Sequence, residues 1–423
     1  MGVVRLRPEP VSDAGRRAWQ RADDLALGWE PTAGARDRAG VFDPAEVAGV
    51  QRNGLAACCV PTELGGLGVD RLADLMAVVH RLAEADGSLA LVVHMHVSGT
   101  WSLTRARQAR LDAPGGTADP DAGGLTTLLR DVAAGTAWLC AAVTEAGTNF
   151  FHPRTTLEPA GDGWVLTGTK VFATGSPAAT HFSANARVDG GAHDGRLAQV
   201  IVPATLDGVH VADDWDGLGM RASGSGVVRF DRVALPPETI VLPGGPYGRF
   251  TIGALCGRAF GNVGNVTAMA GLAAAARLLA RRRVTTGRRV DEAPLGARAT
   301  VRQALGELEA DAVLVLAAVE RLGRYADAMA DRMANAPATV DEADARGFMA
   351  EFQASKLQIN RLAVAVVDRA LALAGGSGYA GTDPLARLVR DVRAGQFMQP
   401  FSPHEALGFL GSVAAGVDPD PLA

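Results

Sequence analysis

The chain is poor in the residues that cross-link or charge a scaffold. Its 423 residues include four cysteines, Cys58, Cys59, Cys140 and Cys256. These are too few and too scattered for a disulfide framework or a zinc site, so reduced thiols and no metal are expected. Neither sign of charge dominates: 41 Lys and Arg stand against 46 Asp and Glu, for a net charge of −5. That balance supplies no overall field for nucleic acid or an anionic membrane. No apolar run approaches the ~18–20 residues of a membrane span. The longest stretches, residues 268–280 and 362–375, are broken by Arg277 and by Asp368 and Arg369. The first ten residues lack the apolar core of a secretory signal, and Leu6 stands where a myristoylation site needs Ser or Thr. A cytoplasmic protein is expected. Phosphate motifs are missing too. There is no P-loop, and the Gly-rich segment 253–264 lies in a helical pattern rather than after a strand, so it fails the dinucleotide fingerprint. Its glycines read as sites of close helix packing.

What is present divides into three parts, an α+β organisation. Residues 1–135 read as helical. Leu75, Val78, Val79 and Leu82 mark one helix face. Asp86-Gly87-Ser88 interrupts the pattern, with Ser88 as the expected N-cap of the next helix. Residues 114–124, rich in Gly, Pro and Asp, read as a loop. Residues 136–242 carry short, partly alternating strands between Gly, Asp and Pro turns, the pattern of a small β-barrel or sandwich. Residues 243–423 are helical again. One stripe runs through Leu305, Leu308, Ala312, Val315, Val319 and Leu322, and a second, in sevens, through Phe352, Ile359, Val366 and Leu373. Pro337 lies in the link between them, and Gly375-Gly376 ends the second helix. His94 and His96, two apart, point to different faces of a helix and cannot share a metal. Asp383, Arg387, Arg390 and Asp391 form a charged cluster.

Several segments in order resemble the acyl-CoA dehydrogenase superfamily. They are Pro61-Thr-Glu-Leu-Gly-Gly66, Cys140-Ala-Ala-Val-Thr-Glu-Ala-Gly-Thr-Asn149, Gly161-Asp-Gly-Trp-Val-Leu-Thr-Gly-Thr-Lys170, Gly217-Leu-Gly-Met-Arg-Ala-Ser223, and Gly375-Gly-Ser-Gly-Tyr379 followed by Pro384 and Arg390-Asp391. The resemblance implies an N-terminal helical domain, a central β-barrel and a C-terminal four-helix bundle. It also implies FAD (or FMN) and a homotetramer. Carried over residue by residue, it sets Val143 and Thr144 against the polar edge of the flavin. Phe172, Ala173 and Thr174 would cover a flavin face, and Gly375 and Gly376 would give close backbone approach. Arg283, with Thr285 in the same segment, would reach a neighbouring subunit's FAD pyrophosphate.

Where the family's dehydrogenases carry a carboxylate base, this sequence has Gln399, which cannot accept the α-proton. The alternative site for that base, the first helix after the β-domain, has no Asp or Glu, since none occurs between Glu238 and Asp291. Phe172 replaces the flavin-stacking Trp, and Ala372 replaces the Gln before the Gly-Gly pair. The sequence therefore resembles most the flavin monooxygenases of the superfamily. These take reduced flavin from a partner reductase and form a C4a-hydroperoxide that oxygenates carbon, sulfur or nitrogen in a small molecule. His96, Ser402 and His404, with Gln399, are the candidates for contact with peroxide or substrate. Two other readings stay open. One is an acyl-CoA or acyl-carrier-protein dehydrogenase with Glu405 as a displaced base. The other is an inactive flavin-binding scaffold.

Overall fold

The computed structural model describes residues 7–113, 120–287, 289–290 and 293–419. The first part is helical: α1 (Asp13–Trp29), α2 (Ala33–Ala39), α3 (Pro44–Asn53), α4 (Leu72–Ala85), α5 (Gly87–Asp112) and α6 (Pro120–Ala134). Ala18, Ala22, Ala26 and Trp29 recur every three or four residues and put the buried face of α1 onto α4. Helix α4 is buried nearly all round, because the helix Val263–Arg282 of the C-terminal part covers its other side. The cap of α5 differs from expectation. Asp86, not Ser88, accepts the Leu89 N–H at 3.2 Å, and the helix begins two residues earlier. Asp86 wins because its carboxylate also pairs with Arg36 at 3.0 Å. Of the expected loop at 114–124, residues 114–119 lie outside the described residues, and Gly123 and Gly124 belong to α6.

The middle part is one sheet of β1 (Leu139–Ala142), β2 (Thr156–Ala160), β3 (Gly163–Lys170), β4 (His181–Val188), β5 (Arg196–Pro203), β6 (Val209–Val211), β7 (Val228–Leu235) and β8 (Val241–Pro246). The strand order is β6-β7-β3-β2-β4-β5-β8, with β1 added parallel to β4. Three strand steps, about 14 Å in a flat sheet, separate β7 from β4. Yet Phe230 and Phe182 on those strands meet edge to face at 6.1 Å. The sheet therefore curls over a core that includes Leu157, Leu166, Val200 and Val233. Among the described residues its end strands do not pair, so the barrel is an open one.

Strand β8 runs to Pro246, and helix resumes at α7 (Ile252–Phe260), followed by α8 (Val263–Arg282), α9 (Ala299–Asn335), α10 (Glu342–Ala374), α11 (Pro384–Asp391) and α12 (Pro403–Ala415). The expected stripes are the buried faces: Leu308, Ala312, Val315, Val319 and Leu322 on α9, and Phe352, Ile359, Val366 and Leu373 on α10. Residues Ile252–Thr286 form a helical stretch apolar enough, at a mean hydropathy of 1.4, to cross a membrane. Its most apolar window is 89% buried inside the fold, which marks it as the core helix of the C-terminal part.

Candidate active site

A cleft of about 950 Å³ opens where the three parts meet. Leu91, Met95, Ser98 and Ser102, at helical spacing on α5, form its floor. Its β-domain wall begins with Val143 and Thr144, which directly follow β1. The next residue, Glu145, anchors them. Its carboxylate accepts from Lys170 Nζ (2.6 Å), Arg154 N (2.6 Å), Thr155 N (3.1 Å) and Thr155 Oγ1 (2.7 Å). Lys170 is fully buried and also donates to Asn185 O and Oδ1 at 2.7 and 2.9 Å. Burial pushes the Lys170 pKa down to about 8. Burial also works against the Glu145 charge, but Lys170 and the surrounding donors outweigh it and hold that carboxyl below its usual range. Sequence reading missed this pair, which are neighbours only once β3 is in its sheet.

Phe172 also lines the cleft. It sits at φ 56°, a strained conformation for a side chain of that bulk, with its ring 61% exposed and edge-on to Trp215 at 6.1 Å. Thr174 is buried at the wall, its hydroxyl 2.9 Å from that of Ser225, which lies 2.6 Å from Ser223. Ala173 corrects the sequence reading. It is wholly buried, its N–H is held by Gly226 O at 3.0 Å, and it does not line the cleft.

The C-terminal wall brings Gln399 across to Thr144, with Nε2 donating to Thr144 Oγ1 at 3.3 Å. Its Oε1 is buried without a partner. Beside it α7 presents Gly253 and Gly257, and Gly261 follows at its C-cap, one every four residues, all lining the cleft. A Cβ on Gly253 or Gly257 would meet nothing within 4 Å. The expected helix packing belongs to Gly264 instead, where an added methyl would overlap the His94 ring. Arg258 lies in the same wall, stacked 4.3 Å over the Phe150 ring, and its burial lowers its pKa to about 10.

The histidine and serine candidates lie elsewhere. His96 is buried, and both its ring nitrogens are engaged: Nδ1 accepts Leu139 N–H at 2.9 Å, and Nε2 faces Ala56 O at 3.0 Å. The ring stacks on Trp138 at 4.0 Å, and burial lowers its pKa to about 4. It fixes β1 to α5 and has no nitrogen left for a peroxide or substrate. Ser402 and Glu405 form a capping box at the start of α12, with the Glu405 carboxylate accepting Ser402 N–H at 2.7 Å. His404 is exposed on that helix, and none of the three lines the cleft. Glu405 is thus a cap, not a displaced base. Asp216 lines the cleft, but from an exposed loop beside Trp215 rather than from a dry position. Arg283 pairs with Asp383, Thr285 Oγ1 donates to Arg281 O at 2.8 Å, and Gly375 takes φ 64° at the end of α10. These residues and Gly376 stand outside the cleft wall of this chain.

The charged cluster forms the seam behind the cleft. Asp391 Oδ1 accepts Met220 N–H at 2.7 Å, Arg387 donates to Ala85 O at 3.0 Å, and Arg390 pairs with Asp37. A Cβ on Gly219 would strike the Arg390 and Asp391 backbone, so the close approach needs glycine.

The family descriptions for the acyl-CoA dehydrogenase N-terminal, middle and C-terminal domains match residues 26–106, 140–233 and 260–399. The chain is 38% identical over 418 residues to L-evernosamine nitrososynthase of a Micromonospora species, covering 97% of this chain and 93% of that one. It is 35% identical over 410 residues to the amino sugar nitrososynthase DnmZ of Streptomyces peucetius, covering 96% and 95%. It superposes with a TM-score of 0.88, at 34% identity and over 99% and 98% of the two chains, on KijD3 in complex with FMN and dTDP-3-amino-2,3,6-trideoxy-4-keto-3-methyl-D-glucose.

Proposed function

This chain belongs to the acyl-CoA dehydrogenase superfamily, in its flavin-dependent monooxygenase branch, and from that premise we propose that it is an amino sugar N-oxygenase. Its substrate would be an amine on a nucleotide-linked sugar, like the one bound to KijD3. The observation that carries the choice of chemistry is Gln399. A neutral amide, hydrogen-bonded to Thr144, stands where a thioester dehydrogenase needs its base, and Glu405 is held in a helix cap. Similarity to nitrososynthases over nearly the whole chain supports nitrogen as the oxygenated atom.

The cleft fits a flavin ring. Phe172 and Trp215 offer aromatic surface, while Thr144, Thr174 and Ser225 offer hydroxyls that can donate or accept at the ring's polar edge. Reduced flavin, when bound, supplies the activated oxygen. This chain's residues then have three tasks: Thr144 and Thr174 orient the ring, Phe172 covers it, and Gln399 bridges the walls and excludes water. FMN is preferred over FAD, because the solved relative KijD3 holds FMN. The absence of a dinucleotide fingerprint favours a separate flavin reductase as the source of electrons. A cytoplasmic homotetramer completes the proposal, the tetramer being what the resemblance implies.

The test supplies FMN, a generic NADH-dependent flavin reductase, ¹⁸O₂ and a dTDP-linked 3-amino sugar, and reads the product by mass spectrometry. One or more labelled oxygens on nitrogen are expected. No incorporation, together with anaerobic bleaching of the flavin by an acyl-CoA, would overturn the reading in favour of dehydrogenation.

A further inference from the structure

Helix α8 begins beside the cleft with two asparagines whose orientations are fixed by their neighbours. Asn262 Nδ2 donates to Arg258 O at 2.7 Å. A carbonyl can only accept, so that amide cannot be turned round. Asn262 Oδ1 must then accept, and it does so from Asn265 Nδ2 at 2.8 Å. The relay ends at Asn265 Oδ1, which has no donor, although Asn265 is only 5% exposed and lines the cleft. The Oε1 of Gln399, in the wall of the same cleft, is also buried without a donor.

Buried carbonyl oxygens are rarely left unpaired, and two in one cleft call for a ligand that brings donors. Both oxygens belong to neutral amides. A carboxylate would favour an ammonium ion by its full charge, whereas a neutral amide oxygen accepts N–H bonds with only the weaker pull of a dipole toward that form. The charged groups of the cleft wall, among the described residues, are Arg196, Asp216, Arg258, Arg390 and Arg393. Four are cations, of which Arg390 and Arg393 are paired with Asp37 and Asp368, and the one acid is exposed, so the net surroundings still disfavour an ammonium. Oxygenation at nitrogen needs a free lone pair, which only the uncharged amine has.

We propose that Asn265 and Gln399 seat the substrate's amino group, accepting its N–H bonds and holding it uncharged. This seat rests on the amino sugar reading above. The test is calorimetric, with FMN-loaded protein and two probes: a dTDP-linked 3-amino sugar and its 3-hydroxy counterpart. Wild type is expected to prefer the amine at least tenfold. Asn265→Leu should fall to near parity while FMN affinity is kept. Asn265→Asp should move the pH optimum of oxidation up by about one unit, because the new carboxylate stabilises the ammonium form. If Asn265→Leu fails to fold, Gln399→Met carries the same discrimination test. Wild-type preference retained in a folded variant, or an unmoved pH optimum, overturns the seat alone. Failure of the wild type to bind either nucleotide overturns the amino sugar reading, and the seat falls with it.

Discussion

On the β-domain wall of the cleft, polar groups are tied to one another: Glu145 to Lys170, Lys170 to Asn185, Thr174 to Ser225. On the helical wall, glycines leave the backbone of α7 bare and two amide oxygens end without donors. One wall is complete before any ligand arrives, as suits a rigid ring that must be held in one pose. The other is incomplete, as suits the part of the site that differs between substrates. The two walls should therefore fail differently under mutation.

The largest effect is expected on the complete wall. Lys170→Met leaves the Glu145 carboxylate buried without its cation, which costs about 3–5 kcal/mol. Urea unfolding should show that loss, and FMN fluorescence titration should show weaker flavin binding as Thr144 loses its anchor. Adding Glu145→Gln should recover more than half of the stability. A single variant as stable as wild type would mean that this wall is not held by the ion pair.

Next in size is the seam. Burial raises the Asp391 pKa to about 6, against the pull of Arg387 and the Met220 N–H. The folded state thus holds its proton more tightly than the unfolded chain, whose Asp titrates near 3.8. Stability from this group falls as pH rises from about 4 to about 6 and is level above, by up to about 3 kcal/mol. Asn copies the protonated form and keeps an acceptor for Met220. In urea unfolding from pH 4 to 7, Asp391→Asn should gain on wild type across that window. Parallel curves would place the carboxylate in a wetter site.

What could be read from sequence follows the same division. Val143, Thr144, Phe172 and Thr174 lie in contiguous motifs, and all four reach the cleft wall. The stripes on α9 and α10 were legible because a helix repeats its buried face every three or four residues. The Glu145–Lys170 pair was not, since only the sheet joins residues 25 apart. Periodicity also cannot distinguish a glycine that meets another helix from one that meets a cavity. Gly264 does the first, Gly253 and Gly257 the second. His96 shows the same ambiguity for a polar residue: a histidine on an apolar helix can serve a ligand or, as here, two backbone groups.

The incomplete wall should break without loss of fold. Gly257→Leu places a side chain in empty cleft and removes a glycine from the middle of α7, a change worth about 0.5–1 kcal/mol in favour of the helix. Affinity for the sugar nucleotide should fall at least a hundredfold, about 2.7 kcal/mol, while thermal stability rises or holds. Undiminished substrate affinity would move the substrate away from α7.

The smallest effect separates oxygen chemistry from dehydrogenation. Glu405 lies six residues beyond Gln399, near enough in sequence to serve as a displaced base. In the fold its carboxylate closes the cap of α12 on the Ser402 N–H, and it does not line the cleft. Gln at the third position of a capping box makes the same bond, so Glu405→Gln should leave the melting temperature unchanged and the oxygenation rate within about twofold of wild type. A general base contributes about 10²–10⁴ in rate. A loss of that size in steady-state turnover, with the fold intact, would put Glu405 in the chemistry.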